Sequence, residues 1–212
     1  MARINQDGII RLMHAINNAN ATFASSMKNG TTNFADATAA IWESNNAKKF
    51  AVTLKSNLDS ISNSYKESIL KIYNHLELNT SNHNKRNDGD VSVPSLDYEV
   101  PDTSALTSKI KNKFSDGSEG VVEGSDLVGL QVNYTNAMNA IKEALDDAVN
   151  ATAKSEAFDP EEIESFKLAY QKIKTSFENI EQEQANDLSE FLNNENQVDI
   201  KLTSTNKSNF GQ

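Results

Sequence analysis

The sequence has no cysteine, only 3 prolines and 8 glycines, one tryptophan and 3 histidines. Without cysteine, disulfide scaffolds, thiolate metal sites and cysteine nucleophiles are excluded together. So little glycine and proline argues against a turn-rich all-β chain. Basic residues are also short: 20 Lys and Arg face 30 Asp and Glu, a formal net charge of -10. A general nucleic-acid binder would need a basic stripe that this balance does not supply. No apolar run reaches the roughly 18 residues of a membrane span. The opening stretch MARINQDGIIRLMHAINN has no apolar h-region, so a conventional cleavable signal peptide is not expected. What remains is a chain of 212 residues, 37% hydrophobic, long enough to bury a core and above the composition of disordered chains. Asparagine is frequent, which suits polar helix faces and loops but names no activity.

What is present is helical periodicity. Ile9, Leu12, Ile16, Ala19, Phe23 and Met27 step by three and four, and the stripe continues through Thr31, Phe34, Ala37 and Ile41. The spacing predicts a helix from about Asn5 to Ala39, with Asn29-Gly30 as its weak point, since Gly costs about 1 kcal/mol relative to Ala. A second stripe runs from Ala47 through Leu54, Leu58, Ile61, Tyr65, Ile69 and Ile72 to Leu76, predicting a helix from about Glu43 to Leu78. Residues 79–122 break the pattern, with an Asp88-Gly89 turn signal, Pro94 and Pro101. Within them Val91–Val100 reads as extended and Ala105–Phe114 as a short helix. A third stripe runs from Leu127 to Ala148 and a fourth from Ile163 to Phe191. Asp159-Pro160-Glu161-Glu162 opens the fourth, with Asp at the N-cap, Pro at N1 and acids at the positive end of the helix dipole. The tail after Asn194 is expected to fray.

The halves resemble each other. Trp42 is followed by Phe50 as Phe158 is followed by Phe166, and a shift of about 116 to 118 residues superimposes the stripes. The reading is therefore all-α: two long antiparallel helical hairpins packing as a four-helix bundle, joined by a long polar linker. The segments are a hairpin at 1–78, a partly irregular linker at 79–123, a second, degenerate hairpin at 124–194 and a flexible tail at 195–212. Residues 1–78 hold 8 basic and 6 acidic residues, whereas 124–194 hold 5 and 14. The opposite signs favour a meeting of the two halves.

No catalytic constellation stands out. His14, His75 and His83 are far apart and form no metal-binding pair. The acids of the last helix, Glu161, Glu162, Glu164, Glu178, Glu181 and Glu183, lack an accompanying histidine and read as a solvated face. There is no phosphate-cradling glycine loop and no nucleophile elbow. The expectation is a protein without cofactor, metal or enzymatic activity. Its acidic third and fourth helices make membrane binding unexpected.

The first hairpin resembles the WXG family, the small helical-hairpin substrates of type VII secretion systems. Two long helices meet at Trp42 in Ile41-Trp42-Glu43-Ser44, with Ala47 and Phe50 following. Tyr73-Asn74-His75-Leu76-Glu77 matches the family's Tyr-x-x-x-Asp/Glu secretion signal near the end of the second helix. Ser44 stands where the family has Gly, and the second half has Phe158 for Trp and no equivalent signal. The chain is about twice the usual family length, as for a tandem or fused version. The resemblance implies a hinge motif of Trp42, Ser44, Phe50 and Phe158, with Trp42 buried between the helices at the hinge and its large ring also able to offer an edge to a partner, and a secretion signal of Tyr73 and Glu77. It implies a non-enzymatic protein, secreted or on the cell surface, partnered by a type VII secretion ATPase or a co-secreted effector. A monomer with an intramolecular bundle is expected, a dimer being the variant in which hairpins pair between chains. The competing reading is a structural or adhesive helical coiled-coil module of a surface or phage assembly.

Overall fold

The computed structural model describes residues 5–111, 127–153 and 160–210. They are all-α, with no strand among the described residues. The helices are α1 (Gln6–Ile41), α2 (Asn45–Asn87), α3 (Ala105–Lys109), α4 (Leu127–Ala153) and α5 (Pro160–Phe210).

Helix α1 starts where the sequence places it. The Asn5 side-chain oxygen accepts the N–H groups of Asp7 (3.1 Å) and Gly8 (3.3 Å), satisfying two of the donors a helix start leaves open. No break occurs at Asn29-Gly30. Gly30 is buried, and a Cβ there would lie 3.2 Å from Ala137 Cβ and 3.3 Å from that residue's Cα and carbonyl oxygen. Glycine therefore serves close packing of α1 on α4, and the cost in propensity is accepted within a continuous helix. Gly30→Leu should lower stability by about 1–3 kcal/mol through overpacking against the α4 backbone. Urea unfolding followed by circular dichroism measures it, and an unchanged midpoint would contradict the close approach.

Helix α2 runs nine residues past Leu78, to Asn87. Thr80 continues the buried face, and the amides of Asn79 and Asn87 pair with the imidazoles of His75 and His83 one turn earlier (3.0 and 3.3 Å). Lys85 and Arg86 suit the negative end of the dipole. Asp88 then takes a positive φ of 47° and the Gly89 N–H bonds the Asn84 carbonyl at 3.2 Å, closing the helix with a Schellman turn.

Residues 90–102 are extended, as the Val91–Val100 pattern predicts. The following helix is shorter than expected, ending at Lys109, and Phe114 lies outside the described residues. Helix α5 reaches Phe210, where the sequence reading had a frayed tail. No Gly or Pro interrupts it between Pro160 and Gly211, and each added residue brings one more hydrogen bond.

Contacts group the chain into two compact units that do not follow the halves of the sequence. One comprises Met1–Lys28, Asp59–Asp102 and Ala140–Glu178, the other Asn29–Leu58, Thr103–Asn139 and Asn179–Gln212. In the first unit Ile9, Ile16, Phe23, Ile61, Tyr65, Ile69, Ile141 and Phe177 are buried. Tyr65 is its aromatic centre, 4.4 Å from Phe23 and 6.0 Å from Tyr170 between ring centroids, with its hydroxyl donating to Asn20 Oδ1 at 2.9 Å. Lys142–Glu178 (3.0 Å) and Lys174–Asp146 (2.5 Å) tie α4 to α5, so these pairs act inside the acidic half. In the second unit Phe34, Phe50 and Tyr134 form edge contacts at 5.9–6.1 Å, and the Tyr134 hydroxyl donates to the Glu181 carbonyl at 3.0 Å.

Candidate functional site

The turn between α1 and α2 is built by residues 42–44. The Trp42 N–H bonds the Thr38 carbonyl at 2.8 Å, extending the α1 ladder by one rung. The Ser44 hydroxyl accepts the Ala47 N–H at 3.2 Å, and its carbonyl accepts the Lys48 N–H at 3.1 Å. Ser44 is thus the N-cap of α2. Ser44→Gly should cost only a few tenths of a kcal/mol and Ser44→Ala about 1 kcal/mol, measured by thermal unfolding, because both lose the cap bond but glycine suits the N-cap backbone better than alanine. An unchanged melting temperature in Ser44→Ala would show that the hydroxyl does not cap.

The rings of the hinge face inward. Trp42 is 0% exposed and Phe50 2%, and the Trp42 centroid lies 6.5 Å from both Phe50 and Phe191. The indole is core, as expected of a hinge residue buried between helices, and it presents no exposed edge. Its Nε1 has no hydrogen-bond partner among the described residues. Phe158 lies outside the described residues.

Tyr73 and Glu77 are brought together on the surface of α2. The Tyr73 hydroxyl donates to Glu77 Oε1 at 2.9 Å across one turn. That hydrogen bond, more than burial, raises the phenol pKa above its ordinary value. Leu70 is 37% exposed and Leu78 59%, and Leu70, Tyr73 and Glu77 follow each other at steps of three and four along one side of the helix. Beyond Glu77 opens a cleft of about 320 Å³ lined by Glu77, Thr80, Ser81, Asn84, Lys85, Val91 and Val93. The Thr80 hydroxyl, which lines it, is buried without a hydrogen-bond partner among the described residues. Trp42 belongs to the second contact unit and Tyr73 to the first.

One constellation was not read from the sequence. Residues 91–98 cross the first unit as a strap held by Gln6, Asn17 and Asn20 of α1 and by Ser62 and Asn84 of α2. Two signals were present. Gln6, Asn17 and Asn20 fall on one side of α1 beside the apolar stripe, and Val91 and Val93, then Leu96 and Tyr98, alternate with polar residues on either side of Pro94-Ser95. Each signal is weak alone, because amides on a helix face usually only meet water.

Among the described residues no three His, Asp or Glu side chains are grouped as a metal site requires, and no helix is long and apolar enough to cross a membrane. Comparison with protein families, curated proteins and solved structures finds no match to this chain.

Proposed function

We propose that the protein is a non-enzymatic substrate of a type VII secretion system, a tandem WXG-like protein or the targeting partner of a larger effector. The observation that carries this reading is the exposed, hydrogen-bonded Tyr73–Glu77 pair one turn apart in the second half of α2. An aromatic ring and a carboxylate held in fixed relation, with Leu70 beside them, offer a docking surface an apolar anchor and a charge together. The helix turn at Trp42 and the cap at Ser44 support the same reading, since Ser performs the helix-starting role at the position where the family has Gly.

The arrangement that goes with it is two antiparallel hairpins, α1–α2 and α4–α5, completing a four-helix bundle within one chain. Such a protein is exported to the medium or cell surface, partnered by the secretion ATPase or a co-secreted effector, and is monomeric in light scattering. It needs no cofactor and does not bind nucleic acid or membrane.

Export of Tyr73→Ala tests the signal. Its loss from the culture supernatant, with normal accumulation in the cell, is the expected result. Tyr73→Phe keeps the ring and loses the bond to Glu77, so it should export at an intermediate level. Unchanged export of both Tyr73→Ala and Glu77→Ala would remove the signal assignment.

A further inference from the structure

Four amide side chains hold the strap by its main chain. Asn84 donates to the Val91 carbonyl at 2.7 Å and accepts the Val91 N–H at 3.2 Å. Gln6 does the same to Ser92, at 3.1 and 2.9 Å. Asn17 donates to the Ser95 carbonyl and accepts the Asp97 N–H, both at 3.0 Å, and Asn20 donates to the Asp97 carbonyl at 2.7 Å. Every one of these contacts reads backbone, as a sheet edge reads an added strand. Sequence is read separately. Val91, Val93, Leu96 and Tyr98 are half-buried, while Ser92, Ser95, Asp97 and Glu99 are exposed. Tyr98 lies 6.4 Å from the Tyr65 ring, shares a 3.0 Å hydrogen bond with Ser62, and has Lys66 Nζ 5.6 Å from its ring centroid.

A connection between α2 and α3 needs none of this, because an exposed loop satisfies its backbone with water. The charges also match in a way a connection does not need. Residues 88–102 carry 5 acidic and no basic residues, whereas the α1 and α2 segments of the same unit, 5–28 and 59–87, carry 6 basic and 4 acidic. The strap is also separable. Its inner end is fixed by the turn at Gly89 and its outer end by buried Pro101 and Thr103, so the residues between can lift away without unwinding a helix. Most of the amide bonds to it are solvent-exposed, the kind that open locally.

We propose that the sides of α1 and α2 bearing Gln6, Asn17, Asn20 and Asn84 are a receptor site for an extended acidic peptide of a partner protein. The peptide it takes has apolar side chains at its first, third, sixth and eighth positions. Residues 91–98 fill the site in cis and are displaced by that peptide. The assignment is independent of the export reading, since it uses neither Tyr73 nor Glu77.

The probe is a fluorescent synthetic peptide of residues 90–99, titrated into the full chain. The double variant Leu96→Ser, Tyr98→Ser loosens the strap and should bind it at least tenfold more tightly than the wild type. Adding Asn17→Ala should reverse that gain about tenfold, and a peptide of the same composition in scrambled order should not bind. In the wild type, amide exchange at Val91, Ser92 and Asp97, followed by NMR, should quicken severalfold as the native-order peptide is added. This second measurement stands whether or not the variants fold. Equal binding of native and scrambled peptides, or exchange unchanged at saturating peptide, overturns the proposal. Exchange that quickens with protein concentration alone, together with a dimer in light scattering, overturns the assigned occupant in favour of a second copy.

Discussion

Trp42→Ala is expected to lower the free energy of unfolding by about 3–5 kcal/mol, the range for emptying a large aromatic site in a core. Trp42→Phe should cost much less. The two differ because phenylalanine still fills much of the site, whereas both substitutions remove the indole nitrogen. Trp42 is 0% exposed and Nε1 has no acceptor among the described residues, so the folded state holds a desolvated donor. An unmet donor of this kind costs about 1–3 kcal/mol, and phenylalanine removes that cost along with part of the ring. Contacts to Phe50 and Phe191 are retained in part by the smaller ring. Urea unfolding followed by far-UV circular dichroism makes the comparison, because the sole tryptophan is itself the fluorescent reporter. Equal losses in the two variants would mean that a ring at position 42 contributes no core packing, and the account would fail.

Alkaline pH should unfold the protein through Tyr65 and Tyr134. Burial raises both phenols well above their ordinary value of 10.0. Desolvation is the largest cause for each, followed by the neighbouring Tyr170 for Tyr65 and Glu181 for Tyr134. A raised folded-state pKa means that the unfolded chain releases its proton first. The stabilisation from these groups is therefore complete below about pH 10, where even unfolded tyrosine is neutral, and is lost as pH rises further toward the folded-state values. The urea midpoint should be level on the neutral side and fall above pH 10. In a pH titration followed at tyrosinate absorbance, the two phenols should ionise together with the loss of helix. Tyr65→Phe should reduce the alkaline slope, and at neutral pH it should cost about 1–3 kcal/mol, because Asn20 Oδ1 loses the buried hydroxyl that donates to it. A slope unchanged by Tyr65→Phe and Tyr134→Phe together would place the alkaline sensitivity elsewhere.

Where the sequence reading was right, a repeating pattern spoke for itself. The core stripes Ile9 to Phe23 and Leu54 to Leu76 are buried as their spacing requires. The break in periodicity after Asp88 marks the extended segment. Helix ends were harder. Past Leu78 the residues of α2 are polar, and the helix is carried on by Asn–His pairs and by Asn84 holding Val91, partners that spacing alone does not reveal. Gly30 looked like a weak point because propensity counts only the glycine's own backbone. Its reason for being there is Ala137, more than a hundred residues away. The Tyr73–Glu77 pair was legible because both residues sit one turn apart on one helix, whereas the amides that hold the strap lie 77 to 86 residues from their partners on α1.

By itself the sequence determined that this chain is helical, acidic and without cysteine chemistry, and it determined which residues face inward. Those properties are sums over neighbours one turn apart, and a 3.6-residue period records them directly. Only the tertiary structure decided that glycine belongs at position 30, and that Asn17, Asn20 and Asn84 hold residues 91–98. Each of those depends on what the fold brings against the residue from far along the chain, and a side-chain amide carries the same donor and acceptor whether it meets water or a peptide. The net charge of -10 made the chain look uniformly acidic, yet the acidic strap lies on helices whose own charges run the other way.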